Sequence, residues 1–270
     1  MRHVIITGGS SGIGAALARW HLARGDRVTL VARSPDRLEA CRLELARSFP
    51  SDRIGIAAAD VTDESALRGV VGEAEQRFGG CDWLITSAGT VRPGRFLELE
   101  PEEFRRQMDV NYLGTVHAIR AALPGMVARR RGKLILISSA AGLYGVYGYT
   151  AYAASKAALS GLAEALRFEL QGSGVSISIC YPPDTDTPQL AEENRFKPAE
   201  TRALTEKAGL WDADRLANHV ATAAERGRFA IYPGFQTAFL GRFGGLAKPA
   251  LDRWLDRVVS RRRAQRERDE

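Results

Sequence analysis

Apolar residues gather in short runs along this chain, separated by longer stretches in which they recur every third or fourth position. VIIT at 4–7, VTLVA at 28–32, IGIAAA at 54–59, WLIT at 83–86, KLILIS at 133–138 and VSISICY at 175–181 have strand length, and FAIY at 229–232 is a seventh candidate. Apart from residues 175–179 they lack strict alternation between apolar and polar, which is the pattern of strands covered on both faces, as in a parallel sheet. Between them Ile13, Leu17 and Trp20 share one helical face, and residues 35–48, 63–78, 102–129 and 151–171 follow the same period. Strands alternating with helices of this length predict right-handed βαβ units and a doubly wound α/β sheet of about seven strands. No linker, repeat or low-complexity segment interrupts residues 1–233, so they are expected to form one domain, with a substrate loop within 182–210.

The pattern changes at Gly234. Residues 234–270 are first aromatic and glycine-rich, then arginine-rich. Phe235, Phe239, Leu240, Phe243 and Leu246 recur at helical spacing, as do Leu251, Trp254, Leu255, Val258 and Val259. Arg242, Arg253, Arg257 and the Arg261-Arg262-Arg263 run flank them. Apolar stripes beside arginines suit a helix resting on anionic headgroups through residues 234–263. They equally suit a terminal helix packed on its own domain or on another subunit. Gly241, Gly244 and Gly245 predict two short helices with a bend.

With 45% hydrophobic and 26% charged residues, the composition supports a large core. The net charge of +6 comes mostly from scattered arginines, and no basic patch interleaved with aromatics appears, so no nucleic-acid partner is expected. Cys41, Cys81 and Cys180 are odd in number and far apart, and the four histidines lack ligand spacing; neither a disulfide framework nor a metal is expected. The chain opens directly on strand-like residues, and no window is apolar for the length of a membrane span. The expected location is the cytoplasm, either free or peripheral on the cytoplasmic face of a membrane.

Chemistry enters with the turn after the first strand, where Gly8, Ser10, Ser11, Gly12, Ile13 and Gly14 open a helix. Glycines there let the backbone approach a pyrophosphate, and the helix start offers unpaired N–H groups to it. Placed between a first strand and a first helix, they indicate a Rossmann-type dinucleotide site. The second strand ends in Ala32-Arg33-Ser34 rather than an acid. A guanidinium suits the 2′-phosphate of NADPH, which a carboxylate would repel; a solvated arginine is the plain alternative. Asp60 either meets the adenine or caps the next helix.

Tyr152 and Lys156 stand four apart on one helical face. A neighbouring ammonium would lower the tyrosine pKa and make the phenol a usable acid. Ser139, following a buried strand, could hold a carbonyl oxygen beside it, and Asn111 could anchor a relay water behind the lysine. Tyr144, Tyr147 and Tyr149 lack a lysine at that spacing and read as pocket lining.

With TGGSSGIG, NYLG, ISS and YAASK in this order, residues 2–232 resemble the short-chain dehydrogenase/reductase family. The resemblance implies that Ser139 orients a carbonyl, Tyr152 donates a proton, Lys156 holds the nicotinamide ribose, and Asn111 completes a proton relay. Two departures stand out. Thr86-Ser87-Ala88-Gly89 replaces NNAG, though Ala88 and Gly89 still permit close approach to the adenine ribose. Pro182-Pro183 replaces Pro-Gly after the sixth strand.

That loop continues as PPDTDTPQLAEEN, which resembles one subgroup of the family, the 3-ketosphinganine reductases. VTLVARS fits the same subgroup, which is NADPH-dependent. The resemblance implies reduction of the C3 ketone of a long-chain keto-amine lipid in sphingoid-base synthesis. The alternatives are a reductase of another hydrophobic ketone and a catalytically silent dinucleotide sensor. Pro182, Thr185 and Thr187 are expected near the nicotinamide or a phosphate, and Tyr144 and Tyr147 near the substrate. Asp184, Asp186 or Glu192 is expected to face its amino group, against a plain capping role. Further copies of the chain, as a dimer or tetramer, complete the expected partners.

Overall fold

The computed structural model describes the backbone of residues 1–205 and 209–269, with side chains to residue 261. Seven parallel strands form one sheet: β1 (His3–Thr7), β2 (Arg27–Ala32), β3 (Ile54–Ala58), β4 (Trp83–Thr86), β5 (Gly132–Ile137), β6 (Val175–Cys180) and β7 (Ala230–Ile231). Their spatial order is β3-β2-β1-β4-β5-β6-β7. Val4 pairs with Val28 on one side and Trp83 on the other, so β1 lies centrally and the strand order reverses between β1 and β4. In such sheets ligands bind beyond the carboxyl ends of the strands at that reversal.

Both faces are covered, which is why the apolar runs do not alternate. Val4, Ile6 and Leu30 point to one side, where α1 (Gly12–Leu22), α2 (Pro35–Ala46) and α9 (Ala213–Glu225) bury Leu17, Leu38 and Val220. Ile5, Val31 and Leu84 point to the other, against Val71 of α3 (Glu64–Phe78), Ala118 of α5 (Gly114–Ala128) and Leu159 of α6 (Thr150–Glu169). Cys41, Cys81 and Cys180 are buried free thiols.

The helical pattern over 102–129 contains an irregularity. It is α4 (Pro101–Met108), then a π-helical turn at Asp109–Leu113, then α5. The wider turn inserts a residue into the period and buries Asn111 completely.

Beyond β6, two short helices, α7 (Pro188–Asn194) and α8 (Ala199–Thr205), cross the carboxyl end of the sheet. The substrate loop expected over 182–210 contains them, and its residues 206–208 lie outside the described residues. The chain ends in α10 (Gly234–Asp269), which packs on α8. The expected break into two helices is not found, because α10 runs on through Gly241, Gly244, Gly245 and Pro249. Packing overrides propensity there: a Cβ on Gly241 would lie 2.1 Å from the Tyr232 ring, so the glycine is used for close approach. The side chains of Arg262 and Arg263 lie outside the described residues. Among the described residues no helix is long and apolar enough to cross a membrane.

Candidate active site

A cavity of about 1480 Å³ opens over the carboxyl ends of β1, β4, β5 and β6. It extends from the glycine turn past Tyr152 and Lys156 to the inner side of α10.

The turn fits a dinucleotide. Gly8 and Gly12 have φ of 68° and 51°, the left-handed region that favours glycine. A Cβ on Gly8 would lie 2.6 Å from the Ala88 backbone nitrogen, and one on Gly14 would lie 2.3 Å from the Gly8 carbonyl. Ser11, at the N-cap of α1, makes no side-chain capping bond, and the first turn carries no acid. Its N–H groups are thus left for an anion, as a pyrophosphate requires. Ser10, Ser11, Gly12, Ile13, Ala88 and Gly89 all line this end of the cavity.

Arg33 and Asp60 also line it, with the guanidinium largely exposed and 3.9 Å from the carboxylate. Asp60 accepts from the Thr62 N–H (2.9 Å) and hydroxyl (2.8 Å), which turns the chain towards α3, although the N-cap of that helix is Asp63. Ser34 is engaged as the cap of α2, accepting from the Arg37 N–H at 3.3 Å. Arg37 lines the cavity one turn into α2 and was not anticipated from the sequence. No spacing in the sequence marks it, because Arg33 precedes α2 and helical periodicity does not relate the two arginines.

Tyr152 and Lys156 lie on the buried face of α6 with Ser155 and Leu159, and the Lys156 ammonium stands 5.9 Å from the centre of the Tyr152 ring. Lys156 donates to the Ile137 carbonyl at the end of β5 (3.0 Å), and burial lowers it to about 8. Ser139 is hydrogen-bonded to Tyr152 and also accepts from the Ala141 N–H at 3.2 Å. The expected lowering of the tyrosine is not found. Burial pushes Tyr152 up, the charges of Glu193 and Asp184 push the same way, and only the bond to Ser139 opposes them. The phenol therefore stays protonated, as an acid in reduction must be.

Asn111 braces the lysine from behind. Its amide nitrogen donates to the Thr90 carbonyl (2.9 Å) and to the Ser155 hydroxyl (2.8 Å), while its oxygen accepts from the Thr90 N–H (2.8 Å). This ties the chain after β4 to α6. A Cβ on Gly89 would meet Asn111 Oδ1 at 3.3 Å and Lys156 Nζ at 3.5 Å, so the three positions are contiguous.

The loop after β6 lies across both halves of the site. Pro182 accepts from the Ala140 N–H (2.9 Å), and Pro183, Asp184, Thr185 and Thr187 line the cavity. Thr185 Oγ1 donates to the Pro183 carbonyl (2.9 Å). Thr187 Oγ1 donates to the Thr185 carbonyl (3.2 Å) and caps α7 through the Leu190 N–H (3.2 Å). Its methyl is so near the glycine turn that a Cβ on Gly12 would lie 3.0 Å from it.

Three expected substrate residues stand elsewhere. Asp186 is exposed and outside the cavity wall, since its N–H donates to the Trp211 carbonyl (2.8 Å) and turns its side chain away from the lining. Glu192 is exposed and pairs with Arg195 (2.8 Å). Tyr147 is absent from the lining; its carbonyl accepts from Thr201 (2.7 Å) and its side chain bonds Arg95. Tyr144 does line the cavity, and its hydroxyl donates to Asp252 of α10. Tyr149 is buried in the lining and donates to Glu193, which faces the cavity where Glu192 does not.

Known proteins share this arrangement. The description of the short chain dehydrogenase family matches residues 2–198. The chain is 40% identical over 230 residues to a 3-dehydrosphinganine reductase of Danio rerio, covering 84% of this chain and 69% of the relative. To a 3-ketodihydrosphingosine reductase of Dictyostelium discoideum it is 33% identical over 247 residues, covering 85% and 74%. A solved short-chain dehydrogenase from Streptomyces avermitilis superposes with a TM-score of 0.79 at 30% identity, covering 96% of this chain and 97% of that one. The structure of ElxO with NADP bound superposes at 0.75 with 25% identity, covering 85% and 96%. The likeness covers most of the chain in sequence and in fold: the chain belongs to the short chain dehydrogenase family, as an oxidoreductase whose cofactor is a nicotinamide dinucleotide.

Proposed function

We propose that this chain is an NADPH-dependent reductase of 3-ketosphinganine, converting its C3 ketone to the alcohol of sphinganine in sphingoid-base synthesis. The observation that carries the reading is the shape of the cavity. One end holds the dinucleotide turn and Tyr152, and the other is walled by Leu240, Leu251, Trp254 and Leu255 of α10. A polar reacting head and a long alkyl tail need such a passage. The names of the curated relatives support the same substrate.

When bound, the dinucleotide supplies a hydride to the carbonyl carbon. Ser139 holds the carbonyl oxygen, and Tyr152 gives it a proton. Lys156 holds the nicotinamide ribose and, with Asn111, returns a proton to Tyr152 from water. The test is NADPH oxidation with 3-ketosphinganine and with an acetoacetyl thioester. Efficient turnover of the first supports the proposal; turnover confined to the second assigns the site to another ketone.

Arg33 and Arg37 together support NADPH, since two guanidiniums at the cavity edge suit a 2′-phosphate. Arg33→Asp is expected to lower the preference for NADPH over NADH by about ten- to a hundredfold, the worth of a charged hydrogen bond. An unaltered protein that prefers NADH would overturn this assignment.

The outer side of α10 is proposed to rest on an anionic bilayer. Phe243 and Leu246 are more than half exposed and lie outside the cavity lining, and Arg242, Arg253 and Arg257 are exposed near them. Exposed aromatic and aliphatic side chains beside cations are what such a surface binds. The protein is expected to sediment with anionic vesicles and to be released by salt. The Phe243→Ser, Leu246→Ser double variant should lose this behaviour. Indifference to the vesicles, with a mass of two or four chains in solution, would make this face a subunit contact instead.

A further inference from the structure

Beside Tyr152 the cavity wall contains a charge cluster that the proton transfer does not need. Lys197 is buried, its side chain 2% exposed, with its ammonium 3.0 Å from Glu193 Oε1 and 3.1 Å from Asp184 Oδ2. Glu193 is itself buried and accepts from the buried Tyr149 hydroxyl. The Tyr149 ring lies 5.6 Å from that of Tyr152. Glu193 and Asp184 line the cavity and Lys197 does not. Two carboxylates therefore face the site with one cation behind them.

Charges buried together are favoured where they balance. Here Glu193 and Asp184 share the Lys197 ammonium at the reacting end of the cavity; Asp184 is 32% exposed, and the Lys156 ammonium stands 5.9 Å from the centre of the Tyr152 ring. The field of the two carboxylates reaches the reacting group, for Glu193 and Asp184 both push the Tyr152 phenol up. Burial likewise raises Glu193, against the pull of Lys197. A ligand cation beside the ketone would meet the Glu193 and Asp184 carboxylates directly, whereas a neutral ketone would gain nothing from them.

We infer that Glu193, assisted by Asp184, is the specificity-determining residue that binds a protonated amine on the carbon next to the ketone being reduced. This deepens the proposed function and rests on it, because 3-ketosphinganine carries its amine at that position. Tyr149 orients the Glu193 carboxylate, and Lys197 pulls against the burial that raises it. The indication in sequence is the spacing of Glu193 and Lys197, one helical turn apart at the end of α7.

The experiment compares 3-ketosphinganine with the deaminated ketone of equal chain length in the full-length protein. Glu193→Gln is expected to raise KM for the amino ketone about ten- to a hundredfold more than for the neutral one, the worth of one charged hydrogen bond. Asp184→Asn, at a position 32% exposed, should move the same ratio in the same direction by less. If neither variant moves the ratio while the unaltered protein reduces 3-ketosphinganine, the inference fails and the proposed function stands. If the unaltered protein reduces only the neutral ketone, the proposed function fails as well. NADPH binding by each variant reports whether the fold survives, and Asp184→Asn decides should Glu193→Gln not fold.

Discussion

Tyr152→Phe is expected to lower turnover by about 10²–10⁴-fold, the contribution of a positioned general acid, while NADPH binds nearly as before. The substitution removes one oxygen from a side chain that is 9% exposed, so packing on α6 and against Tyr149 is kept. The lost bond to Ser139 costs about 1 kcal/mol of stability. Burial and two carboxylates hold the phenol protonated, so the substitution removes a proton that is present in the resting site. The measurements are single-turnover NADPH oxidation and the quenching of protein fluorescence by the dinucleotide. Near-normal turnover with intact binding would reassign the proton donor.

Lys156→Met should damage both properties: turnover falls at least a hundredfold, and NADPH binds about tenfold or more weakly, because the ammonium serves cofactor and acid together. The unaltered protein carries the same information in its pH dependence. Burial holds Lys156 at about 8, so the ammonium is lost as pH rises through that value. The kcat/KM for NADPH is therefore expected to fall above about pH 8. Stability moves the other way. Between about 8 and the ordinary lysine value of 10.5 the unfolded chain binds a proton that the folded chain has released, so stability rises with pH there. Below pH 8 the cost of burying the charge is fully present. The melting temperature of Lys156→Met relative to the unaltered protein should consequently decline from pH 8 to 10.5. A flat difference would show that this lysine is not the group that titrates.

The strands were legible because each is covered on both faces, and only a continuous run such as VIIT can satisfy two apolar surfaces. The candidate reacting set stood out for a related reason: Tyr152 and Lys156 share a helical face at a spacing of four, and the glycine turn needs backbone freedom that Gly8 and Gly12 supply. Three features were not. The π turn hides inside 102–129 because a single inserted residue hardly alters a helical pattern, yet it carries the fully buried Asn111. The uninterrupted α10 was hidden because Gly241 reads as a breaker until the Tyr232 ring is placed against it. Glu192 and Glu193 are indistinguishable as letters, but neighbours on a helix point about 100° apart. Only packing decides that Glu192 meets Arg195 in solvent and Glu193 meets Lys197 beneath the loop.

The contact between Thr187 and the Gly12 turn bears on the timing of the catalytic cycle. The segment carrying Thr187 lies over the turn proposed to anchor the cofactor, and the same continuous cavity runs on to the inner side of α10. If that segment must lift to admit the dinucleotide, the two ligands cannot arrive at random: the dinucleotide is expected first, and product-inhibition patterns would read that order.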